Sequence, residues 1–230
     1  MAPRTDVAAR SALTRRRVLQ AAVDLADRDG LAALTMRRLA QDLEVEAMSL
    51  YHHVANKEAV LDGVVEVVVG EMVAAVAGVG PDPAEDWRAA LRARILTARK
   101  VLLRHPWAPA VIETRTAMNA EIVGYFDGLL GILRAGGFSY DLAHHAMHAL
   151  GSRALGFTRE LFAPADPETG GEEAMVMLEQ LADVYPHLAG MLADTAHQDD
   201  GVLGWCDDQA EFEFALDLLL DGLDRRLSRS

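Results

Sequence analysis

Residues 43–57 read Leu43-Glu44-Val45-Glu46-Ala47-Met48-Ser49-Leu50-Tyr51-His52-His53-Val54-Ala55-Asn56-Lys57. Just upstream, Thr35 is of the residue type that caps helix N-termini. It predicts a short helix from Met36 to about Leu43, with Met36, Leu39, Ala40 and Leu43 on one face. Glu44 and Val45 are then a tight connection. A third short helix is expected from about Glu46 to His53, with Ala47, Leu50, Tyr51 and Val54 as its apolar positions. Two short helices so closely joined form a helix-turn-helix pattern. In that arrangement the first helix packs across a DNA backbone and the second enters the major groove. The second must turn apolar side chains inward and small or polar ones outward. Leu50 and Val54 are expected to point to the core, while Ala47, Met48, Ser49, His52 and His53 lie outward or near the N-terminal part.

Working outward, Thr14 predicts a first helix over Arg15 to about Arg28, with Val18, Ala22, Leu25 and Ala26 recurring at three and four, and Gly30 as its stop. Asn56 predicts a long fourth helix from Lys57 to about Ala77, with a stripe of Val60, Leu61, Val64, Val67, Val68, Met72 and Val76. Pro81 and Pro83 break the pattern. Further helices are expected over Trp87 to Leu103, Ala117 to Arg134 and Tyr140 to Phe162, with Pro106 and Pro109 marking a bend. Glu172 to Ala193 reads as helical, bent near Pro186, after a loop over Pro164 to Gly171. Asp208 with Glu211 offers a capping box for a last helix. The reading is an all-α chain. It divides into a basic arm at 1–13, a DNA-binding region at 14–74 with three helices joined by a long one to the rest, and a larger helical body at 75–230.

Composition bounds the function. The 230 residues are 51% hydrophobic, enough for a sizeable core. Cys206 is the one cysteine, so no internal disulfide forms, which fits a reducing cytoplasm. The apolar run after Arg17 is broken by Gln20 and Asp24 and is no signal peptide. Val64 to Val79 is interrupted by Glu66 and Glu71, so no membrane partner is expected. The net charge of −13 opposes nucleic-acid binding only on average. Residues 1–57 hold nine basic and seven acidic side chains, while 58–230 hold 13 and 28. A mildly basic head sits on a strongly acidic body, the pattern of a protein that touches DNA with the head alone.

The run Leu43 to Lys57 resembles the DNA-binding signature of the tetracycline-repressor (TetR) family: a leucine, a valine two later, a small residue before Leu-Tyr, an aromatic or His pair, a short linker and a lysine. Ala21, Ala22, Gly30, Thr35, Arg38, Leu39 and Ala40 fall where that family places similar residues. Gly137-Phe138-Ser139 with the helix through Leu155-Gly156, and Phe214 to Leu227, look like the tetracycline repressors themselves. The resemblance implies a ligand-responsive repressor that binds double-stranded operator DNA as a homodimer and releases a palindromic operator on binding a small organic ligand. It implies no enzyme activity and no cofactor. Its DNA-contacting residues would be Thr35, Met36, Arg37, Ala47, Met48, Ser49, Tyr51, His52 and Lys57. Thr35, Tyr51 and Lys57 would hold phosphates, Arg37 a phosphate or a base edge, and Ala47 and Met48 apolar base edges such as thymine methyls.

The same resemblance implies a cavity in the body. Trp107, Ile112, Met118, Phe126, Met147, Leu150, Phe157 and Met175 are the candidate lining, and Leu150, Phe212, Leu216, Leu219 and Leu223 the candidate dimer face. The tetracycline repressors hold magnesium through a histidine in the segment matching Val111-Ile112-Glu113, where this chain has Ile112. Val76 stands near another of their tetracycline-contacting histidines, and only Glu160 matches an acidic residue near the metal. An uncharged or weakly polar organic ligand is therefore expected, with no metal and no catalytic residue. One alternative competes. His144, His145 and His148 cluster on one helix, and with Glu160 they suggest a metal sensor or a metal-dependent helical hydrolase. Against the hydrolase, the chain has no HExxH, no nucleophile elbow and no Gly-rich phosphate loop.

Overall fold

Side-chain caps decide where the N-terminal helices begin. The structure, a computed structural model, describes residues 12–115, 120–156, 182, 184–195 and 208–229. The Thr14 hydroxyl accepts the Arg17 N–H at 3.2 Å and opens α1 (Arg15–Asp29). Thr35 accepts from the Arg38 N–H at 3.2 Å and opens α2 (Met36–Asp42). Asn56 accepts from the Ala59 N–H at 2.8 Å and opens α4 (Lys57–Val76). Each cap satisfies a backbone donor that a helix start leaves unpaired, worth about 1 kcal/mol. Between them, α3 (Ala47–Leu50) has no side-chain cap. The rest of the chain follows as α5 (Trp87–Arg104), α6 (Ala108–Thr114), α7 (Ala120–Ala135), α8 (Tyr140–Gly156), α9 (Pro186–Thr195) and α10 (Asp208–Leu227). Among the described residues all regular structure is helical, and no helix is long and apolar enough to cross a membrane.

Two expectations change. The third helix has four residues rather than eight, and a turn carries the chain on to His53. Asn56 then takes extended backbone, φ −167°, and caps α4. The Pro106–Pro109 bend holds a helix, α6. Pro109 lies in its first turn, where the missing N–H has no intrahelical partner to lose. Pro186 opens α9, and the segment before it lies mostly outside the described residues. The predicted segments 116–119 and 157–181, the loop at 164–171 and the arm at 1–11 lie outside the described residues.

The chain divides into two compact units, Met1–Met147 and His148–Ser230. In the first, α4 is the central element: α1, α5, α6 and α7 all pack on it. That explains its burial pattern. Val60, Gly63, Val64, Val65, Val68, Val69, Met72 and Val76 are all buried, more than one face of a helix. A helix enclosed on two sides is apolar nearly all round, so a single-stripe reading misses Val65 and Val69. In the second unit, Leu150, Ala189, Phe212, Leu216, Leu220 and Leu223 are buried.

The turn after α7 fixes α7 against α5. Gly137 has φ 90°, the Gly137 N–H donates to Arg134 O, and the Phe138 N–H donates to Leu133 O. This is a Schellman motif with glycine in its left-handed position. It buries Phe138, whose ring meets Trp87 edge-on at 4.7 Å. A Cβ added at Gly136 would lie 2.5 Å from both Cβ and Cγ of Trp87, the stem of the side chain rather than its movable end. Gly136→Ala therefore forces α5 and α7 apart. The expected cost is about 1–3 kcal/mol, read as a lower urea midpoint with an unchanged m-value.

Candidate nucleic-acid interface

The turn between α2 and α3 is built like the one after α7. The Glu44 N–H donates to Gln41 O at 3.1 Å and the Val45 N–H donates to Ala40 O at 3.0 Å. These are the two bonds of a Schellman motif, and Glu44 takes its left-handed position with φ 54°. Glutamate there pays the steric cost that glycine avoids, about 1–2 kcal/mol, partly offset by glycine's greater freedom in the unfolded chain. Glu44→Gly is thus expected to stabilise the protein by roughly 0.5 kcal/mol. A rise in thermal midpoint of about 1–2 °C checks it; a fall would mean that the Glu44 side chain matters more than its backbone.

The motif sets how α3 is presented. Leu50 and Val54 are buried beneath it, with Leu39, Ala40 and Leu43 of α2. Met48 stands 71% exposed and Tyr51 45% exposed, while Ala47 and His52 are also exposed and Ser49 and His53 are half-buried. Ala47 thus lies outward with Met48 and His52 as expected, and Tyr51, one of the apolar positions of the helix, is on the solvent side with them. Thr35 caps α2 through its hydroxyl oxygen and keeps its O–H for another acceptor. Met36 is half-buried under the start of α2.

Cations around this surface fall into two groups. Arg28 reaches Asp42 at 2.9 Å and Asp29 at 3.1 Å, and Arg38 reaches Asp29 at 3.0 Å. Arg15 on α1 pairs with Glu66 on α4 at 2.7 Å. These arginines hold α1, α2 and α4 together. Arg37 and Lys57 are exposed and have no ion pair among the described residues. Lys57 is also the first residue of α4, where backbone N–H groups and the positive end of the helix dipole add to its charge.

A second cluster joins this region to the helices behind it, and no sequence pattern announced it. His105, between α5 and α6, is buried. Its Nδ1 lies 2.9 Å from Oδ1 of Asp27 on α1, and its Nε2 lies 3.2 Å from Oε2 of Glu71 on α4. Ionised carboxylates only accept, so the doubly protonated ring satisfies both. The Trp107 indole N–H donates to Asp27 Oδ1 at 2.6 Å, and Arg104 donates to Glu71 Oε2 at 2.9 Å. Burial pushes the Glu71 carboxyl up, but hydrogen bonds from Arg104 and His105 outweigh it and hold the group below the usual carboxylate range. At the other end of α4, Arg115 pairs with Glu58 at 2.7 Å and Asp62 at 3.4 Å. The segment from α5 through α6 thus grips α4 near both ends and α1 once.

The remaining candidates are placed as follows. Trp107 is committed to Asp27. Ile112, Phe126 and Met147 are half-buried. Met118, Phe157, Met175 and Glu160 lie outside the described residues. Leu150, Phe212, Leu216 and Leu223 are buried within the chain itself, and Leu219 is half-buried, whereas α10 leaves Phe214 64% and Leu218 57% exposed. His144, His145 and His148 are exposed, with His145 Nε2 3.9 Å from Asp141. Among the described residues no group of three His, Cys, Asp or Glu side chains could hold a metal ion; Glu160, the carboxylate of that alternative, lies outside them.

Comparison with known proteins agrees with this geometry. Residues 18–64 match the family described as bacterial regulatory proteins, tetR family, and residues 80–227 match the tetracyclin repressor-like C-terminal domain. An HTH-type transcriptional regulator of Saccharopolyspora erythraea is 35% identical over 181 residues, covering 77% of this chain and 74% of its own length. The HTH-type transcriptional repressor DrrR1 of Streptomyces coeruleorubidus is 30% identical over 226 residues, 92% of this chain and 77% of its own. The crystal structure of the Streptomyces coelicolor TetR family protein ActR in complex with actinorhodin superposes with a TM-score of 0.69. It is 26% identical and covers 93% of this chain and 96% of that one.

Proposed function

Because this chain belongs to the tetR family of bacterial regulatory proteins, we propose that it is a transcriptional repressor, not an enzyme, whose hold on a palindromic operator is released by a small organic ligand. The observation that carries this is the α2–α3 unit. It holds Met48, Tyr51 and His52 outward beside two cations, Arg37 and Lys57, that the fold does not use. Residues 1–13 serve as a basic arm, 14–74 read DNA, and 75–230 bind ligand and dimerise. Thr35, Tyr51, Lys57 and Arg37 hold phosphates, while Met36, Ala47, Met48, Ser49 and His52 line the groove. The protein works in the cytoplasm, where its DNA is.

Two heads in a homodimer read half-sites about 34–36 Å apart or a multiple of it. Dimerisation runs through the exposed side of α10 around Phe214 and Leu218, which water otherwise covers at a cost. Changing both to glutamate should give a monomer in sedimentation; a dimer that persists would move the interface elsewhere. The ActR complex with actinorhodin supports a small organic ligand here too. A ligand acts by binding better to a dimer with its heads displaced. Its pull reaches them through α6, which Arg115 and the His105 cluster tie to α4 and α1.

The test is a mobility shift on DNA flanking the gene and on a randomised duplex pool, at two salt concentrations. A specific, salt-weakened shift supports the reading. No shift on any duplex would overturn it.

A further inference from the structure

Arg94 stands apart from the arginines described above. It lies on α5, which packs against α7, among the buried apolar positions Leu91, Ile95 and Ala98. Its side chain is half-buried, and its Nε is fully buried with no hydrogen-bond partner. Arg15, Arg28, Arg38, Arg104 and Arg115 each reach a carboxylate; Arg94 reaches none among the described residues. A guanidinium does not shed its proton to escape burial. A buried donor of a charged group left without a partner is costly.

The neighbourhood is shaped for this side chain. A Cβ added at Gly128 of α7 would lie 3.0 Å from Nη2 of Arg94, 3.4 Å from Cζ and 3.6 Å from Nη1. Glycine leaves the guanidinium the space beside α7 that a side chain would take. One turn earlier on α7 is Tyr125, near enough for the Arg94 charge to act on its phenol. Burial nonetheless pushes that phenol up to about 12, against the pull of Arg94, so it stays an O–H donor. Phe126 lies against the Tyr125 ring, edge-on at 6.0 Å. Two donors of fixed kind, an unspent positive charge and apolar walls converge between α5 and α7.

We propose that Arg94, with Tyr125 beside it, is the anchor for a carboxylate on an otherwise apolar ligand. The planar guanidinium suits a carboxylate held by two parallel hydrogen bonds. The bound anion supplies the partner that the described residues do not. This rests on the ligand-responsive reading above and sharpens it. Ile112 and Val76 argue against a metal–tetracycline complex, and Arg94 replaces the expected uncharged ligand with an organic acid.

The test uses the full chain and matched pairs of probes: benzoate, 2-naphthoate and 2-anthracenecarboxylate, each beside its carboxamide, titrated by calorimetry. At least one acid is expected to bind about tenfold or more tighter than its amide. In Arg94→Met the acid should lose that advantage while amide binding stays within about threefold. Removing a side chain whose buried Nε has no partner should leave the ligand-free thermal midpoint unchanged or higher. Amides binding as well as acids throughout, or an acid preference that survives Arg94→Met, overturns the proposal. So does a clear fall in the ligand-free midpoint, which would make Arg94 part of the fold. The duplex shift separates the two claims. Charge-blind binding by a protein that still shifts DNA removes the acid anchor alone, whereas loss of every duplex shift removes the regulator itself.

Discussion

Replacing Lys57 by alanine weakens binding to a duplex selected by the wild-type protein about tenfold, and Arg37→Ala with Lys57→Ala about a hundredfold. The slope of log affinity against log salt becomes less steep by about one for each phosphate lost. The argument is one of allocation. Seven acidic side chains share the first 57 residues with nine basic ones, and several arginines are already neutralised. Arg28 and Arg38 sit on Asp29 and Asp42, so bringing them to a phosphate means breaking pairs that hold α1 to α2. Arg37 and Lys57 incur no such cost. Arg38→Ala is the contrasting control. It should remove exposed pairs worth no more than about 1 kcal/mol each and leave the salt slope nearly unchanged. Equal slopes for wild type and the double variant, measured by fluorescence anisotropy, would put the phosphate contacts elsewhere.

The sequence made the DNA-reading surface legible because it is local. Thr14, Thr35 and Asn56 each cap the helix expected of them, and Leu50 and Val54 point inward as the spacing requires. The family resemblance rested on the same run and holds. Local signals failed where a tertiary demand prevailed. Periodicity made α3 eight residues long, but a turn over residues 51–53 takes the place of its second half. Two prolines read as a bend, although one of them suits the first turn of α6. A stripe was read on α4, whereas helices on both sides bury more of it. The long-range polar contacts were invisible in principle. Asp27, Glu71 and His105 are unremarkable at spacings of 44 and 34 residues, and Arg94 looks like any arginine on a helix until a carboxylate for it is sought among the described residues and not found.

The His105 cluster carries the other large effect. His105→Ala is expected to destabilise the protein by about 2–4 kcal/mol, because it opens a cavity and strips a donor from two carboxylates at once. Asp27→Asn should cost less, since Trp107 keeps an acceptor there. The two changes share one interaction, so the double variant should fall short of their sum by about 1–3 kcal/mol in urea unfolding. Strict additivity would mean that His105 matters as a space-filler alone. The pH dependence has a fixed sign. The folded-state pKa of Glu71 is depressed, so its contribution is present above the ordinary carboxylate value near 4.5 and is lost as pH falls through the depressed one. The thermal midpoints of wild type and Glu71→Gln should therefore differ at neutral pH and converge in acid. A gap that widened on acidification would mean that burial, not the Arg104 and His105 hydrogen bonds, governs that carboxyl. The readout also bears on regulation. With α2 and α3 untouched, His105→Ala should shift a duplex nearly as well as wild type does, while an acid probe should release it less completely, because the α5–α6 corner then holds α1 through Trp107 alone.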